Sequence, residues 1–511
     1  MAHGILVLQI ATESLLPVVA RLKQEFGFDL FLDVTATDWP QRRPRFDVVY
    51  HFYSTRDFVR VRLKTRVEEA DPTVDTLVPL YGSARYMERE CHEMYGIRFR
   101  GNDDLPPLTT LPNPIRPAFT KGLTPGSVIV NIGPSHPATH GTIQIVAEIS
   151  GERVVRTDVH CGYLHRGFEK ECESHTWHTL IPYVDRLNYC SALINDFAYC
   201  EAVEKLMGIE LTPRCRHLRT LLAEYSRIAD HLTCVAAALM EMGAMTAFLY
   251  LVTIRDYVYE HIADLTGARV THSYGRIGGL ARDLPDGWLQ RLEEILDQMD
   301  TFVDRVHGLV DRNRIFIDRM RDVGVIATAE AINWGFTGPI LRSTGAPRDL
   351  RKDTPYLSYG ELEFEIPVGI KGDNYDRYYV RMREIDESKH MIRQLIDMLQ
   401  PGPISVDDRR CTLPDKQAVY TEIEALINHF KLIMEGPQVP AGEAYSAHEG
   451  ANGELGFYLV SVGGGVPWKV HCRSPSFVHM GGVHRMLDGY QLADLVPTFG
   501  SVNMIGGECD R

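Results

Sequence analysis

A proline-rich stretch at residues 106–126 divides the chain into a short amino-terminal part and a long carboxy-terminal part. The stretch has no sustained periodicity, and proline-rich segments form extended, semi-rigid linkers. The chain has 511 residues, which is more than one hydrophobic core usually serves. We therefore predict two folded domains, residues 1–105 and 127–511, joined by this linker. Its prolines are Pro106, Pro107, Pro112, Pro114, Pro117 and Pro125.

The amino-terminal part mixes helical and strand-like patterns, which indicates a small α+β domain. Residues 15–26 are predicted as a helix and residues 28–34 as a strand. Two alternating runs within residues 48–63, separated by a polar turn, are typical of a β-hairpin. A second helix is predicted at residues 85–95, where the charged residues 88–90 would form a solvated face.

The carboxy-terminal part contains long runs with helical periodicity, which indicate an antiparallel bundle with short β elements. The predicted fold class is therefore α+β: a small amino-terminal α+β domain, then a mainly α-helical bundle with peripheral β-hairpins. The predicted helices are residues 169–207, 213–242, 247–266, 288–310 and 376–399.

One apolar run has the length of a membrane span. Residues 232–254 carry a single charge, Glu241. An acid near the middle of a span is costly, and Gly243 follows it. The apolar stripe of the preceding helix also continues directly into this run. We therefore expect a buried bundle helix that ends near Gly243, and no transmembrane helix.

Two histidines lie on a turn between predicted strands at residues 127–132 and 142–150. The four-residue spacing of His136 and His140 would suit a metal site on a helix. Pro137 disfavours helix at the residue before it, however. From the spacing alone, a structural loop with a hydrogen-bonded histidine is favoured over a ligand site.

Charge and cysteine content exclude several functions. The net charge of −14 opposes nucleic-acid binding, because a polyanion requires a basic face. The ten cysteines include no C-x-x-C pair, and the first residues lack the basic region of a signal peptide. We therefore expect reduced thiols in a cytoplasmic compartment, and no metal or iron–sulfur cluster held by this chain. The glycines at 463–465 lack the G-x-G-x-x-G pattern of a dinucleotide site.

Residues 88–105 carry a series of short motifs that resembles the 30-kDa-type (C-type) subunit of respiratory complex I. The chain departs from the family pattern at residues 91–93 and 102–103, which indicates a divergent member. The matching motifs are Glu88-Arg89-Glu90, Met94-Tyr95-Gly96-Ile97, Phe99-Arg100-Gly101 and Asp104-Leu105.

From residue 128 onward, seven ordered motifs resemble the 49-kDa-type (D-type) subunit of the same complex. Both resemblances in one chain imply a fused C/D-type subunit of bacterial complex I, with a hydrogenase large-subunit-like fold. The motifs are the stretch Gly133 to Gly141; Gly162-Tyr163-Leu164-His165-Arg166-Gly167-Phe168-Glu169-Lys170; Pro182-Tyr183-Val184-Asp185-Arg186; Gly243-Ala244-Met245-Thr246; Gly372-Asp373-Asn374-Tyr375-Asp376-Arg377-Tyr378; Arg473-Ser474-Pro475-Ser476-Phe477; and Gly507-Glu508-Cys509-Asp510-Arg511.

The 49-kDa type shares ancestry with the large subunits of nickel–iron hydrogenases, so a hydrogenase is the rival enzyme. A hydrogenase needs two C-x-x-C pairs, because four thiolates hold its nickel and iron. Here Cys190 stands alone after Arg186, and Cys509 stands alone near residue 511. The resemblance therefore implies a metal-free cavity that binds a quinone headgroup.

In the family, the headgroup lies between a histidine on the strand–strand turn and a tyrosine on a bundle helix. The matching residues are His140 and Tyr189. Quinone reduction takes two electrons and two protons, and an imidazolium and a phenol both donate hydrogen bonds and release protons. The family couples the histidine to an aspartate before Gly-Ala-Met-Thr. Glu241, one methylene longer, has that place here.

The resemblance also implies that a [4Fe-4S] cluster in a neighbouring subunit supplies the electrons. Arg166 matches the family arginine beside that cluster, where a fixed positive charge favours the reduced form. A family histidine near the cluster aligns with Thr271, and His272 is next along. The chain itself would ligate no cofactor, and quinone would be its substrate.

The implied protein is a peripheral-arm subunit of a proton-translocating NADH:quinone oxidoreductase, on the cytoplasmic face of the bacterial inner membrane. Its partners would be the iron–sulfur-cluster subunits of the arm and the membrane subunit that completes the quinone channel. Two alternatives remain. One is the same subunit in a sister complex driven by ferredoxin or another carrier, and the other is a catalytically silent scaffold. The departures at Glu241 and Thr271 keep the scaffold open.

Overall fold

A computed structural model describes residues 4–102, 105, 108 and 122–511. Most of the predicted linker lies outside the described residues, so the linker and the domain division stay predictions. The described residues form a mixed helix and sheet structure with several small sheets. The predicted α+β class is therefore confirmed.

The amino-terminal part is built on a four-stranded sheet with the order β1-β4-β3-β2. Strand β1 runs parallel to β4, and the other pairs are antiparallel, so the predicted hairpin is β3–β4. The helix predicted at residues 15–26 is observed with those bounds. The elements are β1 (Leu6–Ile10), α1 (Leu15–Phe26), β2 (Leu30–Asp38), β3 (Phe46–Tyr53), β4 (Arg60–Val67), β5 (Thr73–Asp75), α2 (Ala84–Tyr95) and β6 (Arg98–Arg100).

The charged residues of helix α2 are buried, so the predicted solvated face is wrong. Glu88 is fully buried, and Arg89 and Glu90 are each 8% exposed. The Glu88 carboxylate accepts hydrogen bonds from the Thr76 hydroxyl (2.6 Å) and the Asn102 side-chain amide (2.9 Å). Burial raises the pKa of Glu88 to about 7. The prediction failed because these partners come from segments outside the helix.

The carboxy-terminal part begins with an antiparallel sheet and continues as a helical bundle around the long helix α6. This helix packs against four other helices, which comprise residues 192–207, 245–266, 374–398 and 492–502. The first elements are β7 (Val128–Ile132), β8 (Gln144–Ser150), β9 (Arg153–His160), α3 (Phe168–Cys172), α4 (Ile181–Val184), α5 (Ala192–Met207), α6 (Pro213–Glu241), α7 (Met245–Thr266), β10 (Gly275–Arg276), β11 (Gly279–Leu280) and α8 (Trp288–Val310).

A second three-stranded antiparallel sheet, β12-β13-β14, packs against α5. The last part of the chain returns to α6 through helix α18. The remaining elements are α9 (Arg314–Met320), α10 (Thr328–Asn333), α11 (Gly338–Ser343), α12 (Leu350–Asp353), α13 (Asn374–Met398), α14 (Lys416–Thr421), α15 (Ile423–Met434), β12 (Gly442–Glu449), β13 (Glu454–Ser461), β14 (Lys469–Arg473), α16 (Pro475–Gly482), α17 (His484–Leu487), α18 (Leu492–Val502) and α19 (Gly506–Cys509).

The helix predicted at residues 169–207 is wrong, because the two short helices α3 and α4, the longer helix α5 and the turns between them occupy this range. Pro182 stands in the first turn of α4, where a proline is tolerated. Between α4 and α5, the side-chain carbonyl oxygen of Asn188 accepts hydrogen bonds from the amides of Cys190 (3.1 Å) and Ser191 (3.3 Å). Such local bonds from a side chain to the backbone compete with helix formation.

The apolar run at residues 232–254 turns where the sequence predicted. Helix α6 ends at Glu241, Gly243 has a φ of +85°, and α7 begins at Met245. Across residues 4–102 and 122–511, no helix is both long enough and apolar enough to span a membrane.

The amino-terminal and carboxy-terminal parts pack together along a seam. One hydrophobic cluster holds side chains of both, and the rings of Tyr86 and Phe477 lie 5.0 Å apart. At the same seam, His471 Nε2 lies 2.5 Å from Asp33 Oδ2, and His471 Nδ1 bonds to Glu169. The seam is therefore both apolar and ionic.

Candidate functional site

The turn at residues 133–141 holds His140 at the edge of the β7–β8 sheet. Residues Pro137–Thr139 form one 3-10 turn, which the His136 ring caps by accepting a hydrogen bond from the Ala138 amide (3.2 Å). His140 follows with a φ of +54°, and its side chain is 33% exposed. The two histidines therefore lie on a turn, in which His136 is the hydrogen-bonded histidine and His140 faces another group.

His140 faces Glu241 at the end of helix α6. His140 Nε2 lies 3.5 Å from Glu241 Oε1, and the Glu241 side chain is 5% exposed. Within the described residues, Glu241 Oε2 has no hydrogen-bond partner. The ring of Phe499 approaches His140 edge-on, with ring centroids 6.4 Å apart. The structure thus brings together the histidine and the acid that the sequence analysis paired.

Gly500 makes room for the carboxylate of Glu241. A Cβ atom at this position would lie 2.5 Å from Glu241 Oε2. Gly500 belongs to helix α18, where alanine would otherwise be the better helix former. The absence of a side chain here therefore accommodates the Glu241 carboxylate. Sequence reasoning missed Gly500, because a helical glycine gives no sign of what packs against it.

Tyr189 lies on the turn between α4 and α5, so its expected place on a bundle helix is wrong. The side chain is partly buried. Burial is the main cause that raises the pKa of the Tyr189 phenol to about 12. The hydroxyl therefore keeps its proton at neutral pH and remains a hydrogen-bond donor.

Asp230 of helix α6 anchors the turn that carries Tyr189. Its Oδ2 accepts hydrogen bonds from the Asn188 side-chain amide (3.0 Å) and the Ser191 hydroxyl (2.8 Å). Its Oδ1 accepts another from the Asn503 side-chain amide (2.7 Å). Asp230 is fully buried. Sequence reasoning missed this residue, although an acid within the apolar stripe of α6 was an available signal.

The segment at residues 506–508 runs between the two turns. A Cβ atom on Gly506 would lie 2.7 Å from the Thr142 side chain, two residues beyond His140. A Cβ atom on Gly507 would lie 3.3 Å from the Tyr189 ring. Glu508 is 1% exposed, and burial raises its pKa to about 7. Glycines here allow one backbone segment to contact both turns.

Arg166 contacts the turn that carries Tyr189, and His272 lies near Asp185 at the end of helix α4. Arg166 Nη2 donates to the carbonyl oxygens of Arg186 (2.9 Å) and Gly507 (3.0 Å). Partial burial, followed by the charge of Arg186, lowers the pKa of the Arg166 guanidinium. His272 is 6% exposed, and burial lowers the pKa of its imidazole although Asp185 opposes the shift. Arg166 thus contacts both the Tyr189 turn and the 506–508 segment, whereas His272 lies near Asp185, before that turn.

Comparison with known proteins agrees with this organisation. A family described as the 49 Kd subunit of respiratory-chain NADH dehydrogenase matches residues 241–511, and the 30 Kd subunit family matches residues 8–120. The D-type NADH-quinone oxidoreductase subunit of Pelobacter propionicus is 67% identical over 78% of this chain and 99% of its own length. The D-type subunit of Myxococcus xanthus is 49% identical over 75% of this chain and 92% of its own length.

These matches define a class, the respiratory-chain NADH dehydrogenase subunits. One relative matches both parts of the chain at once: the C/D-type NADH-quinone oxidoreductase subunit of Bdellovibrio bacteriovorus is 41% identical over 99% of this chain and 95% of its own length. The chain belongs to this family in its fused C/D form, with the 30-kDa-type and 49-kDa-type parts in one polypeptide.

Proposed function

We propose that this chain forms the quinone headgroup site of a proton-translocating NADH:quinone oxidoreductase, as a subunit of its peripheral arm. The observation that carries the proposal is that His140 faces Glu241, while the backbone segment at residues 506–508 contacts both the turn after His140 and the ring of Tyr189. The names of the relatives support the reaction, since they are NADH-quinone oxidoreductase subunits.

His140 and Tyr189 are the proposed donors to the two carbonyl oxygens of the headgroup. The Tyr189 phenol holds its proton at neutral pH, which suits a donor. The exposed edge of His140 is available to a ligand, while its Nε2 faces Glu241. Glu241 orients the imidazole through its Oε1 atom. It can also accept positive charge from the imidazolium, because its Oε2 atom has no hydrogen-bond partner within the described residues.

An apolar groove of about 340 Å³ begins directly after Glu241. Its lining includes exposed apolar side chains, among them Met245 (53%) and Ile315 (71%). An exposed apolar surface beside a site favours a partner over solvent. We place here the membrane subunit that completes the quinone channel, which would hold this chain at the cytoplasmic face of the inner membrane.

Electrons would arrive from a [4Fe-4S] cluster held by a neighbouring iron–sulfur subunit at the Arg166 side of the site. Arg166 is exposed in the isolated chain and is joined to the Tyr189 turn through the Arg186 carbonyl oxygen. A cationic surface of this kind suits a partner that carries a reducible centre.

Gly500→Ala tests the site, because it should displace the Glu241 carboxylate that lies within 2.5 Å of the new methyl group. We expect quinone reduction by the assembled complex to fall about tenfold, while electron transfer to an artificial hydrophilic acceptor upstream persists. Glu241→Asp alone should retain substantial activity.

The double variant Gly500→Ala with Glu241→Asp is the matched control, since the shorter acid makes room for the methyl group. Its activity should recover toward that of Glu241→Asp. If Gly500→Ala leaves quinone reduction unchanged in a fully assembled complex, the scaffold alternative gains.

Arg166→Met tests the proposed position of the cluster. A fixed charge in a poorly screened site contributes about 1 kcal/mol, or roughly 40 mV for one electron. We therefore expect the midpoint potential of the partner's cluster to fall by that order in a redox titration of the complex. Arg21→Met, which changes an exposed arginine of helix α1, should leave the potential unchanged. An unaltered potential in Arg166→Met, with the cluster intact, would place Arg166 away from it.

The sister complex driven by ferredoxin or another carrier remains the second candidate function. This chain would have the same site in both complexes. The subunits that co-purify with it distinguish them, because only the NADH-driven complex contains flavin-binding NADH subunits.

A further inference from the structure

Two buried aspartates lie at the base of the turn that carries Tyr189. Asp185 caps the carboxy-terminal end of helix α4, and Asp196 belongs to helix α5, so the two residues enclose this turn. Both side chains are fully buried. A bond between the two carboxyl groups therefore joins α4 to α5 and closes the segment that carries Tyr189.

One oxygen of each carboxyl group accepts hydrogen bonds from a single loop. Asp185 Oδ2 accepts from the amide and the hydroxyl of Ser273. Asp196 Oδ2 accepts from the amides of Tyr274 (2.9 Å) and Gly275 (3.2 Å). A Cβ atom on Gly275 would lie 3.0 Å from Asp196 Cβ, so the loop packs closely against α5. All these donors are neutral, and an ionised carboxylate is costly to bury without an ion-pair partner.

The other oxygen of each carboxyl group lacks a donor. Asp185 Oδ1 and Asp196 Oδ1 are buried and have no donor among the described residues. The two side chains contact each other, and burial, followed by the charge of Asp185 and the hydrogen bond between the two side chains, raises the pKa of Asp196. Two ionised carboxylates are only acceptors, so a bond between them requires a proton. One proton supplies the donor that both oxygens lack.

We propose that Asp185 and Asp196 share one proton and that this acid pair positions the turn that carries Tyr189. The proton stays between the two carboxyl groups, so the pair transfers nothing in the reaction. The pair also holds the adjoining loop, in which Thr271 and Ser273 have φ values of +53° and +43°, a region that side chains disfavour. The shared proton is independent of the proposed function, whereas its effect on quinone reduction rests on that function.

The groups around the pair do not supply a counter-ion. Burial lowers the pKa of His272 and raises that of Cys200, so both are neutral at neutral pH. The guanidinium of Arg276 donates instead to the carbonyl oxygens of the loop at residues 273 and 275. Arg219 of helix α6 pairs with Glu204 of helix α5. The pair therefore retains its proton because a second negative charge there would be uncompensated.

Asp196→Asn tests the shared proton in the full-length chain. The amide nitrogen replaces the O–H donor toward Asp185, while the amide oxygen still accepts from the loop. A carboxyl group whose pKa is raised on folding stabilises the fold fully below its unfolded value of about 3.9, and that stability is lost as the pH rises through its folded value. The unfolding constant of the unaltered chain, divided by that of Asp196→Asn, should therefore rise about tenfold per pH unit in urea titrations from pH 5 to 7.

Asp185→Asn is the reciprocal variant and should give the same slope. The double variant leaves two amide N–H groups facing each other without an acceptor, so it should be less stable than either single variant. Asp297→Asn is the matched control, because Asp297 is 77% exposed and its ratio should stay constant with pH. A constant ratio for Asp196→Asn, or single variants as unstable as the double variant, would overturn the shared proton.

The assembled complex tests the positioning role. Asp196→Ala should lower quinone reduction about tenfold, because α5 loses its bond to α4 below Tyr189, and Asp196→Asn should restore the rate toward normal. Tyr189→Phe is measured beside them. If Tyr189→Phe lowers quinone reduction and Asp196→Ala does not, the proposed function stands and the positioning role is overturned. The slope with pH is measured without quinone, so it tests the shared proton whatever the outcome for the quinone site.

Discussion

Tyr189→Phe should lower quinone reduction by the assembled complex roughly tenfold to a hundredfold. The substitution keeps the ring, so packing beside Gly507 persists, and it removes only the hydroxyl. A hydrogen bond to a polar group in a dry site contributes about 1–3 kcal/mol, which corresponds to that loss. Transfer from the electron donor to an artificial hydrophilic acceptor should continue, because that acceptor takes the electrons before they reach the quinone site.

His140→Ala should likewise lower quinone reduction while electron transfer to the hydrophilic acceptor continues. Tyr420→Phe is the matched control, since Tyr420 is 75% exposed on helix α14 and should leave both activities unchanged. If Tyr189→Phe reduces quinone at the normal rate in a complete complex, the headgroup does not bind beside this tyrosine.

His471→Gln should lower the free energy of unfolding by about 3–5 kcal/mol, the usual cost of removing one partner from a buried ion pair. His471 is 2% exposed and lies between Asp33 of strand β2 and Glu169 of helix α3. Without the imidazolium, the buried Asp33 carboxylate loses its ion-pair partner, whereas Glu169 keeps Lys469. A urea titration measures the loss, and His390→Gln, an exposed position of helix α13, should change the midpoint little.

The contribution of His471 should also depend on pH. Burial opposes its charge, but Asp33 and Glu169 outweigh burial and raise the pKa of His471 to about 9. A histidine with a raised pKa stabilises the fold fully below its unfolded value of about 6.5. That stability is lost as the pH rises through about 9. The difference between the unaltered chain and His471→Gln should therefore shrink from pH 6.5 to 9.5, and a constant difference would contradict the charged triad.

Local pattern predicted much of the helical fold. Helix α8 is observed at residues 288–310 as predicted, because a long amphipathic period is a strong signal. The prediction failed at residues 169–207, where the hydrogen bonds of the Asn188 side chain to the nearby backbone override the apolar pattern. The burial of Glu88 could not be predicted from the local pattern either, because the hydrogen bonds to its carboxylate come from Thr76 and Asn102 in other segments.

The candidate site was predicted from the family resemblance and not from local pattern. His140 and Glu241 are far apart in sequence, and no periodicity indicates that they meet. Gly500 and Asp230 were missed for the same reason: their roles depend on a carboxylate and a turn supplied by distant segments. The functional roles of these residues stay predictions until the variants are measured.

The seam between the two parts bears on why they share one polypeptide. The D-type relative from Pelobacter propionicus matches along 99% of its length but only 78% of this chain, so a comparable seam there would join separate proteins. The buried contacts of His471 with Asp33 and of Tyr86 with Phe477 join the two parts directly. The covalent connection fixes a one-to-one ratio and gives each newly made amino-terminal part a partner at high effective concentration.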